Sequence, residues 1–346
     1  MKSLIITILC LVFLSQPVHA MEFQAPAATG TAGQLMPDET ESFADGLWSI
    51  IKESVSAIKP EIAGVARVCL SIIAAVMLCS IVKTLPGSIN HATELVSTLL
   101  IGFLLLKPSD VLVRLASDTV FELSNYGKLL LPVLTGALAA SGGTTKSAAL
   151  YVSTIAVNTA LCTVISELIV PLVYIFLCLS ITVGAVSDSH LEKMKDFIKW
   201  AVTWGLKIVL YVFTGYTAIT GVVTGSVDAS ALKATKITIS GMVPVVGGLL
   251  ADTSEMVLVS AGMVKNSVGV YGLLAVIAIF IGPFLKIGIQ CVFLKICGFL
   301  CGIFTEKTSC KVIDDFSNAM GLLLAMTGTV CVLLLISVIC FMKGVS

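Results

Sequence analysis

The chain has 346 residues, of which 57% are hydrophobic and only 12% charged, a balance that excludes an ordinary water-soluble domain and marks a polytopic α-helical membrane protein. Lysine plus arginine and aspartate plus glutamate both total 21, so no excess of positive charge invites a nucleic acid. The apolar runs predict an all-α helical bundle in a lipid bilayer, with about 8 spanning helices, two short broken or re-entrant segments and an internal repeat.

Residues 1–20 carry Lys2, an apolar run from Leu4 to Leu14 and a helix-breaking Pro17 before Val18-His19-Ala20. This reads as a secretory signal peptide cleaved after Ala20, since a permanent anchor needs a longer apolar core, with an uncleaved anchor as the alternative. Residues 21–60 read as an exported acidic linker and amphipathic helix. Ala, Gly, Thr and Pro dominate up to Pro37, and Phe43, Leu47, Ile50, Ile51 and Ile58 then fall at helical spacing between polar residues. Such a helix lies on a membrane or against a partner. Six acids against Lys52 and Lys59 leave a net charge of −4, which fits the non-cytoplasmic side.

Residues 61–128 hold two spans, about Ile62–Val82 and Ala92–Leu106, and then the amphipathic stretch Lys107–Lys128. There Asp110, Arg114, Asp118 and Glu122 share one face as i,i+4 neighbours, which predicts a solvated surface helix.

Two membrane units follow, at 129–236 and 237–346. The first opens on the short segment Leu129–Ala140, which contains Pro132 and Gly136. About forty apolar residues, Ser147–Ser187, then suffice for two spans meeting near Glu167. That carboxylate is either a buried ionisable group or the mark of a helix–helix turn at the membrane surface. A charged loop, Asp188–Lys199, precedes Trp200 and Trp204, as interfacial aromatics should follow it. A span to about Val223 and a polar connector close the unit.

The second unit opens on TISGMVPVVGGLLADTSEMVLVSAGMVKNSVGVYG, Thr238–Gly272. Gly241, Pro244, Gly247 and Gly248 break its apolar run, and Asp252, Glu255, Lys265 and Asn266 place polar groups where a simple span would still cross hydrocarbon. A long run, Val268–Phe304, contains Gly282-Pro283; a charged loop, Thr305–Asp315, and a final span of about Asn318–Met342 complete the chain.

The units are linked by spacing. Pro132-Val133 with Gly136 matches Pro244-Val245 with Gly248 at 112 residues, Pro171 precedes Pro283 by the same 112, and Asp196 precedes Asp315 by 119. If the short segments re-enter the membrane, the units are inverted and the connector Gly225–Lys236 lies on the cytoplasmic side. Backbone groups freed by Pro and Gly, and charges inside a membrane, need polar partners. Pro132, Gly136, Glu167, Pro244, Gly247, Gly248, Asp252, Glu255, Lys265 and Asn266 are therefore candidate pathway or partner contacts. No catalytic, cofactor or metal site is expected. Cys291, Cys297, Cys301 and Cys310 cluster, but the first three sit in an apolar run where Cys packs as a small hydrophobe. His19, His91 and His190 lack ligand spacing, and Gly142-Gly143 before Thr144 and Lys146 lacks the Walker spacing.

The exported acidic segment, the Gly241–Gly272 block with Pro244, Gly247, Gly248, Asp252, Lys265, Asn266 and Gly269, and the long hydrophobic tail resemble the stage III sporulation protein AE family. The resemblance implies a non-enzymatic integral membrane protein of endospore formers, placed in the mother-cell membrane around the forespore. It implies partners: an ATPase, ring-forming proteins and the other membrane proteins of a secretion-like channel or feeding tube. The alternative function is an independent secondary transporter for a small solute, which an internal repeat fits equally well.

Overall fold

A computed structural model of the chain describes residues 33, 35, 43–83, 90–140, 144–186, 188–219, 267–304 and 307–343. Among them every regular element is helical: α1 (Phe43–Lys83), α2 (Asn90–Ala140), α3 (Thr144–Val164), a π turn (Ile165–Ile169), α4 (Val170–Val186), α5 (Ser189–Ile219), α6 (Ser267–Phe304) and α7 (Lys307–Lys343). The π turn joins α3 and α4 into one rod. Six rods among the described residues are long and apolar enough to cross a membrane, near the span number read from the sequence. The difference comes from Ser147–Ser187 and Val268–Phe304, where each apolar run forms one rod that does not reverse direction.

Proline does not break these rods. Pro60, Pro108, Pro132 and Pro283 lie inside helices, as neighbouring helices in a membrane bundle permit. The segment Leu129–Ala140 is the last three turns of α2, and Lys107–Lys128 is its middle. In that middle Val113, Ala116, Val120 and Leu123 are buried while Arg114, Asp118 and Lys128 face outward. The amphipathic stretch after Phe43 continues straight into the first span as α1. Its buried stripe Phe43, Ile50, Ser54 and Ile58 packs on the chain itself, because the same rod that carries it is already docked.

Pro171 explains the π turn. It has no N–H for the carbonyl of Glu167 four residues earlier and its ring crowds that carbonyl. The helix widens by one residue, and Val170 N–H bonds the Ile165 carbonyl instead.

The rods alternate in direction. Glu61 meets Lys286, and Cys297 Sγ donates to the Cys69 carbonyl, so α1 and α6 are parallel. Ser97 meets Ser309, and Gly127 meets Leu334, so α2 and α7 are parallel. Asp110 meets Tyr174, and Gly102 meets Ile181, setting α2 antiparallel to α4. Ser153 meets Tyr216, and Ile169 meets Gly205, setting α3–α4 antiparallel to α5. Ile219 and Ser267 therefore lie at the same end of the bundle, the end at which α1 starts.

The rods at matching spacing, α3–α4 with α6 and α5 with α7, run in the same direction. This corrects the expectation of inverted units. It also returns Ile219 to the side of Phe43, whereas the connector after it was expected on the opposite side. The connector itself lies outside the described residues.

α7 is the axis of the molecule: 83% of its most apolar stretch is buried, against 17% for α1. It packs on α6, α2, α4 and α5. Phe316, Met320, Leu323, Met326, Leu334 and Val338 supply its part of the core. Small residues let the backbones approach. A Cβ at Gly184 would stand 2.7 Å from Thr98 Cγ2 and closer still to Val312 Cγ2, so the side chains of α2 and α7 pack directly on the α4 backbone there.

Candidate functional site

Of the candidate residues, Pro132 and Gly136 lie on α2 and Glu167 lies on the π turn; Pro244, Gly247, Gly248, Asp252, Glu255, Lys265 and Asn266 lie outside the described residues. The three described ones do not converge. Gly127 meets Asn158 across the α2–α3 packing, and Glu167 and Pro132 lie in opposite directions from that crossing. They stand about 21 Å apart along the bundle axis. Pro132 and Glu167 are both exposed, whereas Ile165 and Ile169 beside Glu167 are buried.

The densest polar constellation is elsewhere, at the end of the bundle where α5 and α7 start and α6 ends. The charged stretches Asp188–Lys199 and Thr305–Asp315, expected as loops, supply the first turns of these helices. Asp188 caps α5: its side-chain Oδ1 accepts the His190 N–H at 2.7 Å, and its carbonyl accepts the Glu192 N–H at 3.1 Å. Capping starts the helix immediately, so Glu192 and Lys195 fall one turn apart on the face toward α7. On α7, Lys311 and Asp315 are likewise one turn apart. Lys311 Nζ donates to Glu192 Oε1 and Lys195 Nζ to Asp315 Oδ2. Lys295 of α6 stands 3.5 Å from Asp314.

Burial separates these pairs. The Lys195 and Asp315 side chains are only 2% and 11% exposed, while the other two pairs are about half exposed. Removing one partner of a buried pair strands a charge, at a cost of about 3–5 kcal/mol. The pair is therefore a strong specifier of how α5 sits on α7. A signal for it existed in the sequence: a lysine and an aspartate set 120 residues apart, in the stretches already matched at 119. Single-sequence reading does not reveal that they face each other.

Two further polar ties cross the rods at mid-height. Asp110 accepts from Tyr174 Oη at 2.8 Å and from Arg114 Nε at 3.0 Å, joining α2 to α4. Lys286 and Glu61 pair at 2.6 Å between α6 and α1. Nearer the opposite end, Tyr216 of α5 donates to Ser153 at 2.8 Å and shares a 3.0 Å hydrogen bond with Thr154. Among the described residues Cys69, Cys162, Cys297, Cys301, Cys331 and Cys340 are buried in the core, while Cys178 is exposed. Cys297 Sγ lies 3.8 Å from the Cys69 carbonyl, and Cys291 Sγ lies 3.4 Å from the Ser317 carbonyl. Among the described residues, no group of three or more His, Cys, Asp and Glu residues is placed to hold a metal ion.

Comparison with known proteins gives a consistent result. The profile of the family described as stage III sporulation protein AE matches residues 34–344. A relative bearing that name, from Bacillus subtilis (strain 168), is 22% identical over 253 residues, covering 71% of this chain and 63% of the relative. The chain thus aligns with somewhat less than two thirds of that relative's length. No solved structure matches.

Proposed function

Because this chain belongs to the stage III sporulation protein AE family, we propose that it is an integral membrane component of a multiprotein channel that serves sporulation. The observation that carries this reading is the family match across residues 34–344, which runs through all six rods. In this reading the chain sits in the mother-cell membrane around the forespore, with the segment before α1 on the non-cytoplasmic side. It works with an ATPase and ring-forming proteins, and supports late forespore development by passing material between the two cells. It acts by assembly and conduction, without catalysis of its own. The close helix approach at Gly184 and the bracing ion pairs suit a fixed scaffold around which other subunits gather.

A second reading, an independent secondary transporter, draws on the paired α3–α4/α5 and α6/α7 hairpins. The two readings separate experimentally. The tagged chain purified from sporulating cells is expected to retain the ATPase and ring-forming proteins, and its deletion to stop late forespore gene expression. A chain that retains no other membrane protein, and that alone moves a solute into liposomes, would overturn the channel reading in favour of the transporter.

A further inference from the structure

We propose that Glu167 is the docking point for a cationic side chain on a membrane helix of another subunit. The inference deepens the assembly reading and rests on it for the existence of a partner. Glu167 is the only Asp, Glu, Lys or Arg between Ser147 and Ser187 and stands at the midpoint of that run. The structure does not turn it inward. The core side of the π turn belongs to Ile165 and Ile169, and Glu167 faces out with Val164, Leu168 and Ile175, which are 43%, 55% and 46% exposed. With Ala160 and Thr182 this ridge is about 33 Å long, close to the thickness of a hydrocarbon core. Among the described residues no cation or hydrogen-bond donor reaches the carboxylate.

A carboxylate on an outward apolar ridge is costly in lipid unless something supplies positive charge or donors. Acyl chains supply neither. A second copy packed ridge on ridge would bring like charges together, because the ridge carries no cation. The fitting occupant is a helix of a different subunit, apolar along its contact face and bearing one Arg or Lys at the level of the π turn. Pro171 supports this use of the site. By forcing the π turn it fixes where the ridge is widest, at the residue that carries the charge.

The test uses the full chain in sporulating cells. A photoreactive phenylalanine analogue at Leu168, beside an intact Glu167, is expected to cross-link to one apolar segment of another protein that contains an Arg or Lys. Glu167→Gln is expected to lower that yield about tenfold, with unchanged abundance and thermal melting of the purified chain. Glu167→Lys with the partner cation changed to Glu is expected to restore it. Cross-links only to lipid, or to residues 220–266 of the same chain, would overturn the proposal; so would an undiminished yield with Glu167→Gln. The Leu168 cross-link in the unsubstituted background decides the matter even if the Glu167 variants fail to accumulate. If the unsubstituted chain co-purifies with no membrane protein, the assembly reading falls as well. If it does co-purify but the Leu168 probe finds no partner, only this inference falls.

Discussion

Lys195 and Arg114 show how differently two ion pairs count. Lys195 and Asp315 are sealed between α5 and α7, whereas the Arg114 side chain is 72% exposed beside Asp110 on the same helix. Lys195→Met leaves a buried carboxylate without its cation and is expected to destabilise the detergent-purified protein by about 3–5 kcal/mol. Combining Lys195→Met with Asp315→Leu removes both charges and is expected to recover most of that loss. Arg114→Ala is expected to cost under about 1 kcal/mol, as exposed pairs do. Thermal melting of the four proteins checks the order. A double variant less stable than Lys195→Met alone would mean that Asp315 has another essential partner.

For the helices, the decisive contacts are those that let backbones approach. Gly184 on α4 faces Val312 and Thr98, both β-branched and stiff at χ1, so neither can swing away from an added methyl group. A Cβ at Gly127 on α2 would stand 2.7 Å from Leu334 Cδ1, the far end of a more adaptable side chain. Gly184→Ala is therefore expected to cost about 1–3 kcal/mol, and Gly127→Ala less. Comparing the two melting temperatures in one detergent tests this, and equal losses would show that Leu334 is as confined as Val312. The length of the elements matters too. α2 has 51 residues, about 75 Å of helix, against a hydrocarbon core of about 30 Å. Part of it must therefore stand outside the bilayer.

At the scale of the molecule, the alternation of the rods sets which ends share a side. Phe43, Ile219 and Ser267 lie at one end of the bundle, and the Glu192–Lys311 and Lys195–Asp315 pairs at the other. In a variant with its native cysteines replaced, Lys52→Cys and Ala218→Cys are expected to react with a membrane-impermeant thiol reagent from the same side, and Lys193→Cys from the opposite side. All three positions are exposed. Labelling of Ala218→Cys from the side of Lys193→Cys would contradict the alternation.

The sequence alone determined the class, the helical character and the family of this protein. Hydropathy and helical spacing are local quantities that sum along the chain, so long apolar runs declare membrane helices without knowledge of their neighbours. The Pro132/Pro244 and Pro171/Pro283 spacings were legible for the same reason, as properties of position alone. The tertiary structure decided what depends on remote neighbours. Pro60, Pro108, Pro132 and Pro283 leave their rods unbroken, because packing offsets the lost hydrogen bonds. The stretches before Trp200 and Asn318, expected as loops, became the ion-paired starts of α5 and α7, because each charge found its partner about 120 residues away. Glu167, left open between a buried group and a surface turn, came to rest on an outward ridge. Its direction follows from the one-residue shift at Pro171 and from Ile165 and Ile169 entering the core, and such a shift in helical phase is visible only once the rod is packed.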